Sequence, residues 1–337
     1  MPDSQSQLAV SRAIPQPKLT AVVFTTVSVL ITVLWQALPG AIPFRRWDMW
    51  VWFVCCGVVL LSLARFSIRH PAPLPEVWLL SFPFLFEFFF QKICPTAKVA
   101  SVDELLWSFD ASFGYPQVLL AKLLLASPVL FWLCKLVWWS LPLLFVVLYL
   151  VLPAFVRRKY MVTIVCTGCI ILPLYALCPG AGPIYLFRER FLGPLPALLQ
   201  PHRTFLPAGL ILNTTPSGHV AWALLLFWFA WKYCRKPVVA IFGLLFLLTI
   251  VATLGLGEHY VIDLIVSFPY AAAIWALVEK KWQRAAVFMT IVIAWLLALR
   301  EGWAIPFAPS AVWLLCAVTI LASLPWRELQ PSFYASN

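Results

Sequence analysis

Charge is what this sequence has least of. Only 11% of its 337 residues are Asp, Glu, Lys or Arg, against about 25% in an ordinary soluble domain. It has 13 acidic side chains and four histidines. A surface so poor in charge excludes a conventional water-soluble protein. P-loop, dinucleotide fingerprint and metal-ligand cluster are all missing, so nucleotide-driven and metal-centred chemistry have no sequence support. The nine cysteines read as small apolar side chains and define no redox compartment. A cleavable leader is not expected either. Residues 1–18 are polar and contain proline, and the apolar run after them is too long for a signal-peptide core.

Apolar side chains fill the space that charge leaves, at 63% of the chain. They fall in long blocks, and about 20 helical residues cross a ~30 Å hydrocarbon core. The expected fold class is therefore all-α: a polytopic membrane bundle of about ten helices. Spans are placed near residues 19–39, 49–66, 76–92, 136–156, 161–178, 218–234, 237–256, 260–278, 285–299 and 308–325. A further segment, 116–134, opens on Tyr115-Pro116, carries Lys122 and is broken at Ser127-Pro128, so it reads as interfacial or re-entrant. The chain then divides into a cytoplasmic polar N-terminus (1–18), N-terminal membrane helices (19–160), a core (161–278) and C-terminal helices with a tail (279–337). Glu87, inside an apolar block, reads as a protein-facing structural carboxylate.

The net charge of +11 suggests nucleic acid, but the basic residues sit in short loops between apolar blocks. Arg157-Arg158-Lys159, Lys232 with Arg235 and Lys236, and Lys280 with Lys281 and Arg284 fall on one side of this layout. The positive-inside rule makes that side cytoplasmic. The loops at 92–117 and 257–260 then face the extracytoplasmic side.

Two polar settings break the apolar pattern on that outer side. The first is Thr214-Thr215-Pro216-Ser217-Gly218-His219, followed by an apolar helix. Ser217 suits an N-cap, and Gly218 lets backbone approach a ligand. A helix start with free N–H groups is an anion site, within reach of His219. The plainer alternative is a capped helix with an incidental histidine. The second is Glu258-His259-Tyr260-Val261-Ile262-Asp263. His259 and Asp263 are four apart and share a helix face. The carboxylate fixes the imidazole tautomer and leaves the other nitrogen as nucleophile or base. The plainer alternative here is a structural His–Asp pair. Together the settings supply what phosphoryl transfer needs: a nucleophile, a second histidine as acid and base, and backbone donors for phosphate oxygens.

PSGH followed forty residues later by H-x-x-x-D resembles the type 2 phosphatidic acid phosphatase superfamily. The HYVID form is similar to the inositol phosphorylceramide synthase (aureobasidin-resistance) and sphingomyelin synthase branch. Cys178-Pro179-Gly180-Ala181-Gly182-Pro183-Ile184-Tyr185 resembles the Pro-rich segment that precedes the catalytic histidine in the inositolphosphotransferase branch. The similarity covers roughly 160–278, and the N-terminal half only loosely. It implies His259 as nucleophile, Asp263 as its partner, His219 as acid and base, and Ser217 and Gly218 at the phosphate. Tyr185 and Arg203 are further substrate-binding candidates, with Arg188 and Arg190 near by. There are two departures. Thr253 stands where the family's longer motif has arginine, and the basic first motif (Lys, six residues, Arg-Pro) is absent. The lost arginine weighs against simple monoester hydrolysis more than against transfer.

The expected function is a membrane-embedded lipid phosphotransferase working through a phosphohistidine, inositolphosphotransferase-like. Its donor is a lipid phosphate or phosphodiester, and its acceptor a lipid or polyol hydroxyl, or water. No metal, cofactor or nucleic-acid partner is expected. One alternative is a lipid phosphate phosphatase acting on phosphatidate or polyprenyl phosphates. Another, of a different class, is a non-enzymatic lipid transporter. Polar groups at helix ends, rather than at the membrane midplane, favour an enzyme.

Overall fold

The computed structural model describes residues 100–187, 191, 203–205, 212–303 and 307–325. All lie in the second of the chain's two units, Phe86–Asn337. The expected spans near 19–39, 49–66 and 76–92 lie outside the described residues, as do the polar N-terminus, Glu87, Arg188 and Arg190.

The described chain is helical, with one isolated bridge between Ser101 and Thr204. A short helix α1 (Asp103–Asp110) runs into a 3-10 turn and then α2 (Pro116–Ala126). Next come α3 (Pro128–Val151), α4 (Ala154–Leu177) and the single-turn α5 (Pro183–Phe187). The chain continues through α6 (Gly218–Tyr233), α7 (Lys236–Gly255), α8 (Val261–Val278), α9 (Trp282–Arg300) and α10 (Pro309–Ser323). Five of these, α3, α4, α7, α8 and α9, are long and apolar enough to cross a membrane.

The segment 116–134 is not one element. Ser127 leaves the helical conformation, its Oγ accepts from Leu130 N at 3.4 Å, and Pro128 opens the next helix. Proline suits the first helical position because no partner awaits its missing N–H. The break therefore ends α2 after 11 residues, about 16 Å and too short to span. Residues 128–134 become the first turns of α3, which starts eight residues before the expected span at 136. The other described helices fall within a few residues of the expected spans, apart from α4, which starts at Ala154 rather than 161. α6 and α10, at 16 and 15 residues, are shorter than the five long spans.

α8 is the interior helix. The buried share of its apolar window is 78%, against 22–50% for the other four spans. It packs on α9, α6, α10, α4 and α1. Between lipid-surrounded helices the hydrophobic effect is weak, so packing and interhelical hydrogen bonds hold the bundle. Tyr160 on α4 donates to Phe145 O of α3 at 2.9 Å, Trp222 on α6 donates to Ile164 O of α4 at 3.1 Å, and Tyr270 on α8 donates to Thr167 O of α4. The outward faces carry exposed Trp132 and Leu136 on α3, Leu244 and Leu247 on α7, and Leu314 and Leu321 on α10.

The two ends of α8 differ in charge. At its C-terminal end Glu279 takes the ammonium groups of both Lys159 and Lys232. That contact gathers two of the three basic clusters at one end of the bundle. The histidines lie at the other end, about 25 Å away along an 18-residue helix.

Candidate active site

The starts of α6 and α8 meet at that second end. Asp263, in the first turn of α8, turns its carboxylate back to the chain entering the helix. Its Oδ2 accepts from Tyr260 N at 2.8 Å and from His259 Nδ1 at 3.2 Å. Its Oδ1 accepts from Thr215 Oγ1 at 2.5 Å. All three partners donate, so the buried carboxylate is satisfied. On the far side of the imidazole, Ser217 Oγ lies 3.1 Å from His259 Nε2. With the carboxylate accepting at Nδ1, that nitrogen holds the proton and Nε2 presents its lone pair. Ser217 Oγ also accepts from Val220 N at 3.4 Å, which leaves its own proton to point at Nε2. The expected N-cap thus does two jobs.

Backbone contacts fix the two helix starts to each other. Ser217 N donates to Asp263 O at 3.3 Å, and Ser267 Oγ bridges Ser217 O at 3.0 Å and Asp263 O at 2.7 Å. The first two amides of α6, Gly218 and His219, have no partner among the described residues. Helix geometry gives them none internally, and the positive end of the helix dipole lies there. A Cβ at Gly218 would stand 3.3 Å from the Tyr175 hydroxyl. Glycine at this position lets α4 close on the start of α6. His219 stacks on Trp138 of α3, with ring centroids 3.6 Å apart and planes 15° from parallel. The same indole lies 6.1 Å from His259, so it touches both imidazoles.

The segment Cys178–Tyr185 lies against the chain entering both helices. Its backbone pairs with Thr214 N through Gly180 O at 3.0 Å and with Gly257 O through Ile184 N at 2.9 Å. Tyr185 donates to Glu258 Oε2 at 3.0 Å, beside the histidine. Burial raises the pKa of Glu258, while the Tyr185 hydroxyl, His259 and the Lys135 ammonium all pull it back. Lys135 lies one turn before Trp138 on α3. Its ammonium lies over the Phe131 and Trp139 rings, 5.6 and 5.0 Å from their centroids, on the Glu258 side of the site.

Arg203 stands elsewhere. Its guanidinium reaches Glu301 Oε1 at 2.8 Å and Arg300 O at 3.1 Å, at the end of α9, and neither belongs to the His259 cluster. Thr253, the departure from the longer motif, turns its hydroxyl back onto Thr249 O and Ile250 O of α7. Its carbonyl accepts from Glu258 N at 3.2 Å and His259 N at 3.3 Å. The residue therefore shapes the turn rather than facing the site. The expectation that the cysteines follow no ligand spacing is wrong at one place: Cys166 and Cys169 stand at C-x-x-C spacing on α4. Both are free, and no group of three His, Cys, Asp or Glu gathers as a metal-ligand set among the described residues.

Two carboxyl groups of α1 complete the frame, and sequence reasoning gave them no role. Asp103 is fully buried and accepts from Ala181 N at 2.9 Å, Gly182 N at 2.8 Å and Tyr260 Oη at 2.7 Å, and also from Ser101 Oγ. Asp110, also fully buried, accepts from Val261 N at 2.6 Å, Ile262 N at 3.3 Å and Gln117 Nε2 at 3.1 Å. Burial pushes both pKa values up, most strongly at Asp110, where the nearby Asp263 carboxylate adds to the effect. The available signal was two acids seven apart, on one helix face, in a chain with few acids.

The model of the PAP2 (type 2 phosphatidic acid phosphatase) superfamily matches residues 104–277, just over half of the chain. The chain belongs to this superfamily, whose members are typically phosphatases or phosphotransferases. No curated protein and no solved structure matches it. The matched region begins in α1 and ends in α8, so it contains His219, His259, Asp263 and Asp110, and starts one residue after Asp103.

Proposed function

We propose that this protein is a membrane-embedded lipid phosphotransferase, inositolphosphotransferase-like, working through a phosphohistidine on the extracytoplasmic face of a bundle of about ten spans. The observation that carries the reading is the bracketed imidazole. Asp263 on Nδ1 leaves a lone pair on Nε2, and that nitrogen sits beside the unpartnered amides of α6.

In the first step the Nε2 lone pair forms an N–P bond to the donor and displaces Ser217 as its partner. The P–O bond to the departing group breaks, and His219, which takes up a proton when the anionic phosphate of the donor binds beside it, gives that proton to the departing oxygen. The Gly218 and His219 amides and the Lys135 ammonium take the charge on the phosphoryl oxygens. In the second step His219 takes the proton of the acceptor hydroxyl, the acceptor oxygen bonds to phosphorus, and the N–P bond breaks. Transfer is favoured over hydrolysis because Thr253 faces away from the site, where the longer motif would supply a further cation. A polyol or lipid hydroxyl is then the acceptor. Water in that place would make the protein a lipid phosphate phosphatase.

Purified protein in lipid micelles is expected to convert a phospholipid donor into a new lipid species only when an acceptor is added, as read by mass spectrometry. His259→Ala is expected to abolish this, by about three orders of magnitude or more. Free phosphate without new lipid would make the protein a hydrolase. Activity that survives His259→Ala would remove the nucleophile.

A further inference from the structure

Two helix starts meet at the site, and they are treated differently. The first amides of α6 are open, whereas those of α8 are occupied from within the protein. Asp110 Oδ2 accepts from Val261 N at 2.6 Å, and Oδ1 accepts from Ile262 N at 3.3 Å. Of the four amides that a helix start leaves open, Tyr260 N and Asp263 N are met locally, and these are the other two. They immediately precede Asp263 and follow His259 by two and three residues. Asp263 spends its own carboxylate on Tyr260 N, His259 and Thr215. The contacts through Asp263 O, its carboxylate and Ser267 tie the start of α8 to the α6 side. Asp110 ties its first turn to α1 on the other side, and that turn sets the direction in which Nε2 points.

We propose that Asp110 is a positioning residue of the phosphotransfer reaction: by holding the Val261 and Ile262 amides it fixes the turn that aims His259 at phosphorus. The proposal rests on the phosphotransfer reading above. Geometry supports it in three ways. The acceptor lies on a different element, α1, so its bonds tie the helix start to the bundle and not merely to itself. Gln117, fully buried on α2, donates to the same Oδ2 at 3.1 Å and holds the carboxyl in place. Asp103, seven residues earlier on α1, holds Tyr260 and the Ala181-Gly182 backbone, so one short helix grips the segment on both sides of His259. The ionisable groups facing Asp110 are Asp263 and Tyr260 at the start of α8, Tyr115 in the turn after α1 and Cys316 on α10. None is a cation. The contact therefore works through accepted hydrogen bonds, not an ion pair.

That distinction makes the test specific. Asparagine can put its one carbonyl oxygen where Oδ2 stands, keeping Val261 and Gln117 and losing only the longer bond to Ile262. Alanine loses all three. For folded, monodisperse protein, Asp110→Ala is expected to lower kcat at least about tenfold with KM for the donor within about threefold. Asp110→Asn is expected to stay within about threefold of wild type in both. A folded Asp110→Ala enzyme with wild-type kcat overturns the proposal. So does an Asp110→Asn enzyme as impaired as the alanine variant, because charge rather than acceptance would then be at work. Amide exchange at Val261 and Ile262, read by mass spectrometry, is independent of turnover and is expected to accelerate in Asp110→Ala. If wild type turns over no donor, the phosphotransfer reading fails; unchanged exchange in Asp110→Ala would overturn the clamp separately.

Discussion

Gly182 has φ +107° and gives its N–H to Asp103 at 2.8 Å. An added Cβ would run into the Glu258 carbonyl, 2.8 Å from its carbon atom. Backbone cannot step aside as a flexible side chain can, and a side chain at this φ is strained in any case. Gly182→Ala is expected to cost about 2 kcal/mol or more and to displace Glu258 next to His259. Thermal unfolding in detergent reads the first effect and kcat the second. A variant with wild-type melting and turnover would show that the loop is not seated on Glu258. At this scale the sequence was legible where partners are close along the chain. Ser217 and Val220, or His259 and Asp263, are three or four residues apart, so helix geometry alone brings them together. Asp103 reaches Tyr260 across 157 positions and Asp110 reaches Val261 across 151. No local period announces such a contact. Lys135 was hidden for another reason: it falls at the edge of the segment read as interfacial, whereas it stands inside α3, a helix long and apolar enough to cross a membrane.

Elements were legible through their apolar blocks, and α6, α7 and α8 begin and end within a residue of expectation. The first turns of α3 were not, because Lys135 interrupts the block and the Ser127-Pro128 boundary was taken as a break within one segment. α1 was read as a loop, since eight residues with three acids show no membrane-like run. Its burial has a consequence for stability against pH. Burial holds the Asp110 proton in the folded protein to a pH above the ordinary value of 3.8. Between that value and the raised one, the native state binds more protons than the unfolded state. Stability from this group is therefore present at low pH and falls as pH rises through the window. Asp110→Asn removes the titration. The melting temperature of wild type relative to Asp110→Asn is expected to drop as pH is raised from about 4 towards neutrality. A difference that stays constant across that range would mean Asp110 ionises in place as readily as in the unfolded chain.

Across the whole molecule, charge and chemistry sit at opposite ends of one buried helix. Lys159 and Lys232 converge on Glu279 at the C-terminal end of α8, with Lys280, Lys281 and Arg284 following it in sequence. His259 and Asp263 stand at its start. A helix of 18 residues with most of its apolar window buried and a net-positive exit is oriented by that exit, which the positive-inside rule places in the cytoplasm. On the function proposed above, the site then opens on the outer leaflet, where a donor lipid would present its headgroup to Nε2 without leaving the membrane. Ala111, exposed in the turn after α1, belongs to the site end, and Gln283, exposed in the first turn of α9, belongs to the basic end. In a background with the native cysteines controlled, Ala111→Cys is expected to react with an impermeant maleimide on sealed cells or vesicles of known orientation. Gln283→Cys is expected to react only after permeabilisation. The reverse pattern would put the chemistry on the cytoplasmic leaflet and change which lipids reach it. Reaction of both from one side would mean that α8 does not cross the bilayer, and the lateral entry of a lipid donor from the outer leaflet would lose its basis.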